Sequence, residues 1–182
     1  MTVYKGTAGD NTFNGTTGDD IFKMAKGGND TVNGDDGKDA FSFGASFGGG
    51  DAIDGGAGMD RLNLNGDYSS VLFIGTSQLT NVETINVAAG HSYNMAFFDG
   101  VIASGQSLTI NGTKLGASDV LQVDGSYMLG AIANTTLIVN AGAGAAYVFE
   151  GPGTTIFHGG GSDDFVYADG KLVPEANGTP SH

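Results

Sequence analysis

Along the first 63 residues, polar and apolar positions alternate in blocks of nine and not in the rhythm of a helix. The blocks read GTAGDNTFN (6–14), GTTGDDIFK (15–23), AKGGNDTVN (25–33), GDDGKDAFS (34–42), SFGGGDAID (46–54) and GGAGMDRLN (55–63). One apolar residue stands eighth in each: Phe13, Phe22, Val32, Phe41, Ile53 and Leu62. A triplet with one apolar side chain between two polar ones is the pattern of a very short strand with a single face to bury. The Gly-rich hexad before it permits positive φ and a tight turn. Turn, strand, turn, strand is therefore predicted, with two successive blocks returning the chain above its own start.

From Leu64 to about Asn140 the nine-residue period dissolves. The segments LTNVETINV (79–87), SLTIN (107–111), DVLQV (119–123) and TTLIVN (135–140) are β-branched and bounded by Gly, Asn or Asp, which predicts strands and turns. No segment has helical periodicity. Val139, Val148, Phe157 and Val166 then recur at the old spacing. The pattern predicts an all-β chain wound as one parallel β-solenoid. Its parts are an acidic repeat region over 1–63, an acid-poor continuation over 64–140, returning coils over 141–170 with a final repeat-like block, and a tail over 171–182.

Two further positions of the blocks carry chemistry. Glycine stands fourth (Gly9, Gly18, Gly28, Gly37, Gly49, Gly58), and Asp or Asn stands sixth (Asn11, Asp20, Asp30, Asp39, Asp51, Asp60). In a solenoid of two blocks per coil, Asp20 should approach Asp39, Asp30 should approach Asp51, and Asp39 should approach Asp60. Such stacks repel unless neutralised. A hard divalent cation with six to eight oxygen ligands suits two carboxylates plus the carbonyls of Gly-rich turns, and Ca²⁺ suits it better than the stricter octahedral Mg²⁺. No His or thiolate is placed for Zn²⁺. In the last block, around HGGGSDDFVYADG (158–170), either Asp163 with Phe165 or Asp164 with Val166 fits the sixth and eighth positions, and Asp163 is preferred.

These blocks resemble the G-G-x-G-x-D-x-U-x nonapeptides of the repeats-in-toxin (RTX), haemolysin-type calcium-binding family. The resemblance covers 6–63 and the final block. It departs from the pattern at Asn11, at Lys26 in place of the second glycine, and at insertions at Met24 and around 43–45. It implies a right-handed parallel β-roll that folds on binding calcium outside the cell. It also implies export by a type I system with an uncleaved C-terminal signal, hence an extracellular or cell-surface location.

Composition narrows the partners. The 182 residues include 33 Gly, 20 Asp+Glu and only 7 Lys+Arg, a formal charge of −13. A nucleic-acid surface needs clustered cations, so none is expected. There is no cysteine, which removes disulfides and thiol chemistry. No run of 18 apolar residues could span a bilayer, and the first residues lack the basic and apolar regions of a cleavable signal.

Catalytic constellations are missing too, and no enzyme is expected. His91, His158 and His182 belong to no metal motif, no serine sits in G-x-S-x-G, and Asp99, Asp119, Asp124 and Glu150 read as turn residues. The glycine runs at 48–50 and 141–146 precede no G-K-[ST]. Phe97, Phe98, Tyr68, Tyr93 and Tyr127 are the aromatics left for a surface role, such as contact with cell-surface polysaccharide.

The resulting expectation is a secreted calcium-binding structural protein, of a surface layer, biofilm matrix, filament or adhesion, that assembles head-to-tail through its solenoid ends. In that assembly Asp163 or Asp164 shares a cation with Asn11 and Asp20 of another copy. The alternative is a calcium-dependent export or targeting module of a larger secreted enzyme.

Overall fold

The computed structural model describes residues 1–128, 134–161, 163–168 and, for the backbone, 171–173. The expected tail is thus outside the described residues except for Lys171–Val173, and His182 is outside them as well. Among the described residues there is no helix. The described residues form twenty short strands in four sheets.

The longest sheet has eight parallel strands: β1 (Val3–Lys5), β3 (Ile21–Lys23), β6 (Ala40–Gly44), β9 (Arg61–Leu64), β12 (Thr84–Val87), β14 (Ser107–Asn111), β16 (Thr136–Asn140) and β18 (Thr154–His158). Opposite the early part of it lie β2 (Thr12–Asn14), β4 (Thr31–Asn33), β7 (Ala52–Asp54) and β11 (Leu79–Thr80). A six-stranded sheet follows, of β10 (Tyr68–Ile74), β13 (Tyr93–Phe97), β15 (Val120–Asp124), β17 (Ala145–Phe149), β19 (Phe165–Ala168) and β20 (Lys171–Val173). Among the described residues only the β19–β20 pairing is antiparallel. Within the turns themselves, β5 (Asp36–Gly37) pairs with β8 (Ala57–Gly58).

Register explains the architecture. Tyr4 lies opposite Phe22, Phe22 opposite Phe41 and Phe41 opposite Leu62, while Phe13 lies opposite Val32 and Val32 opposite Ile53. Each eighth-position residue therefore stacks on its counterpart two blocks away, as a solenoid-like winding requires. Phe22, Val32, Phe41, Ile53 and Leu62 are buried, and Phe13 packs half-buried against the same core. The rings of Tyr4, Phe22 and Phe41 stack with centroids 4.6 and 5.0 Å apart. The insertion at Met24 leaves the strand pairing in register, whereas the one around 43–45 shifts the β6–β9 register between Ser42 and Gly44; Met24 and Phe43 turn inward and are wholly buried. The extra residues are absorbed into wider coils.

The middle obeys the same rule with longer coils. Leu62, Ile85, Ile110, Val139 and Phe157 continue one apolar row, and Leu121, Ala146, Val123, Val148 and Val166 line the six-stranded sheet. The recurrence of Val139, Val148, Phe157 and Val166 thus marks alternating strands of two sheets. Three of the five aromatics expected at the surface are core instead: Phe97, Tyr68 and Tyr93 are buried, and both tyrosine hydroxyls bond to backbone across coils. Their apolar bodies fill coils that have grown too wide for Val or Leu alone. No helix of the described residues is long and apolar enough to cross a membrane.

Candidate metal centre

The sixth-position side chains form two ladders. On one side Asp20 Oδ1 accepts the amide of Thr2 at 2.6 Å, Asp39 Oδ1 that of Asp20 at 2.7 Å, and Asp60 Oδ1 that of Asp39 at 2.7 Å. On the other side Asp30 Oδ1 accepts the Asn11 amide and Asp51 Oδ1 the Asp30 amide, both at 2.9 Å. The three expected neighbour pairs, Asp20 with Asp39, Asp30 with Asp51, and Asp39 with Asp60, are therefore adjacent. Each carboxylate reaches back one coil and holds the turn above which it stands. All five Asp side chains are buried, whereas Asn11 is half-buried.

The second carboxylate oxygen divides the turns into two kinds. In the capped kind it receives an amide from its own turn: Thr16 donates to Asp20 Oδ2 from both N at 2.7 Å and Oγ1 at 2.8 Å, and Gly48 N donates to Asp51 Oδ2 at 2.8 Å. Asn11 is served in the same way by Thr7 N at 2.7 Å. In the open kind, Oδ2 of Asp30, Asp39 and Asp60 is buried with no hydrogen-bond partner.

Backbone conformation causes the difference. Asp35 and Gly56 occupy the place that Thr16 has in its block, but with φ of 70° and 89°, and their amides turn to Asn33 Oδ1 and Asp54 Oδ1 instead. In the third block Gly27 and Gly28 take φ of 85° and 104°, and the Lys26 amide goes to the Met24 carbonyl. A turn built this way withdraws the donor that would have satisfied the carboxylate.

Protonation equilibria follow the same division. Burial pushes the Asp20 carboxyl up, but the bonds from Thr2 and Thr16 outweigh it and leave the group below its ordinary value. Burial dominates at Asp30 and Asp39, helped by neighbouring carboxylates, and both are raised. Asp60, buried beside Asp39, Glu83 and Asp54, is pushed up to about 6. Uncompensated buried anions are costly, so each open turn lacks positive charge.

Glycine brings further oxygens to these carboxylates. A Cβ on Gly34 would collide with Asp39 Oδ2 and with the Gly55 carbonyl oxygen, and one on Gly55 would collide with Asp60 Oδ2 and the Asn81 carbonyl oxygen. Carboxylate and next-coil carbonyl thus converge on one bare backbone position. Oxygen donors alone in such a cradle fit a hard cation. Among the described residues no three His, Asp or Glu side chains converge to hold a metal, so backbone carbonyls would have to complete the shell.

The fourth-position glycines are not equivalent. Gly28 lies against Gly9, Gly37 against Gly18 and Gly58 against Gly37, where no side chain fits, and Gly37 and Gly58 have φ of 141° and 151°. Gly9 and Gly18 face open space at the outer coil, and Gly49 meets only the end of Gln78.

In the last block Asp164, not the preferred Asp163, takes the sixth position. Asp164 Oδ1 accepts the Ala146 amide at 2.9 Å and Oδ2 those of Gly160 and Gly161 at 3.0 and 3.2 Å, with Val166 buried two residues on. Asp163 is exposed. The choice is set by which apolar residue faces inward, and Phe165 stacks outside on Tyr147.

Two acids were missed as ladder members. Glu83 Oε2 accepts the Asp60 amide at 2.7 Å, extending the ladder one coil beyond the last block. Buried Asp119 takes the amides of Gly90 and Gly116, both at 2.8 Å. Each stands two residues before a buried apolar residue, Ile85 and Leu121, which is the sixth-to-eighth spacing without its glycines. His158 meets Asn140 Oδ1 at 2.8 Å at the end of an asparagine row. In comparisons with known proteins, no family model, curated protein or solved structure matches this chain.

Proposed function

We propose that this protein is a secreted, calcium-binding structural protein of the RTX type, whose nonapeptide region completes a right-handed β-roll when Ca²⁺ binds the open turns. The observation that carries this reading is the set of three buried carboxylate oxygens, on Asp30, Asp39 and Asp60, left without donors in adjacent coils. Bound Ca²⁺ would supply the positive charge these carboxylates lack and tie successive turns together. Asp39 and Asp60 with the carbonyls of Gly55 and Asn81, and Asp30 with its own glycine turn, are the residues that would hold it.

Binding to the folded chain alone adds stability by mass action. A chain of charge −13 with its acids stacked gains the most from it. Head-to-tail assembly is part of the proposal, because β1 and β18 each have a strand partner on one side only among the described residues. An unpaired parallel edge is a template for another copy.

Calcium titration of the chelator-treated protein, followed by far-UV circular dichroism and light scattering, tests both parts. The expected result is a gain of β structure and of melting temperature with calcium but not with magnesium, and a mass that grows in multiples. Unchanged spectra and melting would overturn calcium-coupled folding, and a constant monomer mass would overturn assembly.

A further inference from the structure

The outer face of the six-stranded sheet is aromatic, and the core does not account for it. Inward positions of this sheet, among them Met95, Leu121, Val123, Val148 and Val166, belong to the buried cluster. The alternate positions carry Phe73 on β10, Asn94 on β13, Gln122 and Asp124 on β15, Tyr147 and Phe149 on β17, and Phe165 and Tyr167 on β19. Phe98, which follows β13, and Tyr127, which follows β15, join Phe73 in one cluster with ring centroids 5.5 to 6.4 Å apart. Phe73, Phe98 and Tyr127 remain 45, 39 and 44 % exposed. Beyond Gln122 and Asp124, Tyr147 stacks on Phe165 at 5.4 Å and Phe149 on Tyr167 at 4.9 Å.

We propose that this face binds a neutral polysaccharide chain. Phe73, Phe98 and Tyr127 form the stacking platform, and Gln122 and Asp124 form the hydrogen-bonding row between it and the second set of rings. A water-exposed cluster of three rings is unfavourable unless something covers it, and such patches mark binding surfaces. The C–H faces of a sugar ring suit aromatic faces, while its hydroxyls can both accept from the Gln122 amide and donate to the Asp124 carboxylate.

Register puts Phe73, Ala96, Asp124, Phe149 and Tyr167 in one line across five strands, which at the usual strand spacing is roughly 19 Å. A line of that length suits an extended chain. The electrostatics select among extended chains. The strands of this sheet carry one cation, Lys171 on the edge strand β20, so an anionic polymer finds little counter-charge on a protein of net charge −13. An apolar protein face, or a second copy of this one, would bury Asp124 without a cation. Asp124 Oδ1 already accepts the Ser126 amide and hydroxyl at 2.9 and 2.6 Å, and a hydroxyl-rich neutral chain can serve Oδ2 and the rings together.

The test uses the full chain in saturating calcium. Cellohexaose, laminarihexaose, maltohexaose and chitohexaose are titrated calorimetrically, with an alginate hexamer as the anionic arm. One neutral hexasaccharide is expected to bind and alginate is not. Phe98→Ala and Tyr127→Ala should each weaken binding about tenfold, and Gln122→Ala by several-fold, with unchanged melting temperatures since these side chains are outside the core. The proposal is overturned if no neutral sugar binds with Kd below about 10 mM. It is equally overturned if both ring variants bind as the parent does, if alginate binds as well as the neutral chains, or if the variants lower the mass by light scattering, which assigns the face to contacts between copies. Calcium coupling is read separately in the titration above, so a failure here leaves that reading standing.

Discussion

Coils up to Leu64 and coils beyond it share one winding rule but stabilise their turns by different means. In the first region Asp20, Asp30, Asp39, Asp51 and Asp60 lie buried over one another, and three of them keep an oxygen with no donor. In the second region, turns close on neutral groups or on an acid held by backbone amides. Gln78 takes the Gly75 amide, Asp119 takes two amides, and Asn111 donates to Asn86 at 3.0 Å, which in turn donates to Asn63 of the first region at 3.1 Å. Both regions have an apolar row at their centre. The contrast teaches that the acidic coils bury charged carboxylate oxygens without donors, whereas among the described residues of the later coils the buried oxygen without a donor is the neutral amide Oδ1 of Asn94.

Asp39→Ala should separate the two regions most sharply. Its carboxylate holds the Asp20 turn while its amide is held by Asp60, so it belongs to two successive turns. In saturating calcium its loss should cost about 3–5 kcal/mol, the usual penalty for breaking a buried charge pair. In chelator the same substitution also removes an uncompensated buried anion, and its cost should fall to about 1 kcal/mol or less. Equal costs in urea unfolding under both conditions would erase the distinction.

Proton linkage probes the same carboxylates without mutation. Without calcium, Asp30, Asp39 and Asp60 have folded values above 3.8, so the native state holds protons that the unfolded state has released. Stability contributed by these groups is therefore present at low pH and is lost as pH rises, through about 6 for Asp60. For Asp60 alone the effect is about 3 kcal/mol. Calcium bound as proposed would hold the carboxylates ionised and reverse the sign, so that stability would then be lost as pH falls. Melting curves between roughly pH 4 and 7 should slope in opposite directions with calcium and with chelator. Asp20, whose folded value is lowered, loses its contribution only below 3.8 and leaves that window unaffected. Parallel slopes would mean that the open turns hold no cation.

Glycine geometry gives a third contrast, inside the acidic region itself. Gly58→Ala places a methyl group against the Gly37 backbone at φ of 151° and should cost about 2–3 kcal/mol. Gly9→Ala occupies the same block position but faces open space, and should change chemical-denaturation midpoints by no more than about 0.5 kcal/mol. A comparable cost at both positions would show that the repeat needs its fourth-position glycine for something other than coil-to-coil contact.

Much of this winding was legible because a nine-residue repeat prints register directly: Phe22 over Phe41 and Asp39 beside Asp60 need only the block spacing. The split into capped and open turns was not legible, since it depends on the φ of Asp35, Gly27 and Gly56 and not on their identity alone. Glu83 and Asp119 were hidden because their turns lack the glycines, leaving only an acid two residues before a buried Ile or Leu. Asp164 lost to Asp163 in the sequence because Phe165 and Val166 are both apolar, and only stacking of Phe165 on Tyr147 shows which one faces out. Phe97, Tyr68 and Tyr93 misled for a related reason: aromatic residues beyond the repeats carry no phase, and wide coils take them inward.

Asp119 offers the gentlest test, because it is an acid of the first region's kind placed in the second. It is buried, yet one of its oxygens, Oδ2, receives both the Gly90 and the Gly116 amides, and these join two coils without any cation. Asp119→Ala strands two amides at once, and about 1–2 kcal/mol should be lost. Asn at this position keeps a carbonyl oxygen for both donors and should restore most of that stability. The decisive feature is indifference to calcium, since a side chain whose work is done by backbone donors has none left for a metal to do. If the Asp119→Ala penalty instead grows with calcium, then the cation reaches past the nonapeptides, and the boundary near Leu64 marks a change in sequence pattern without a change in chemistry.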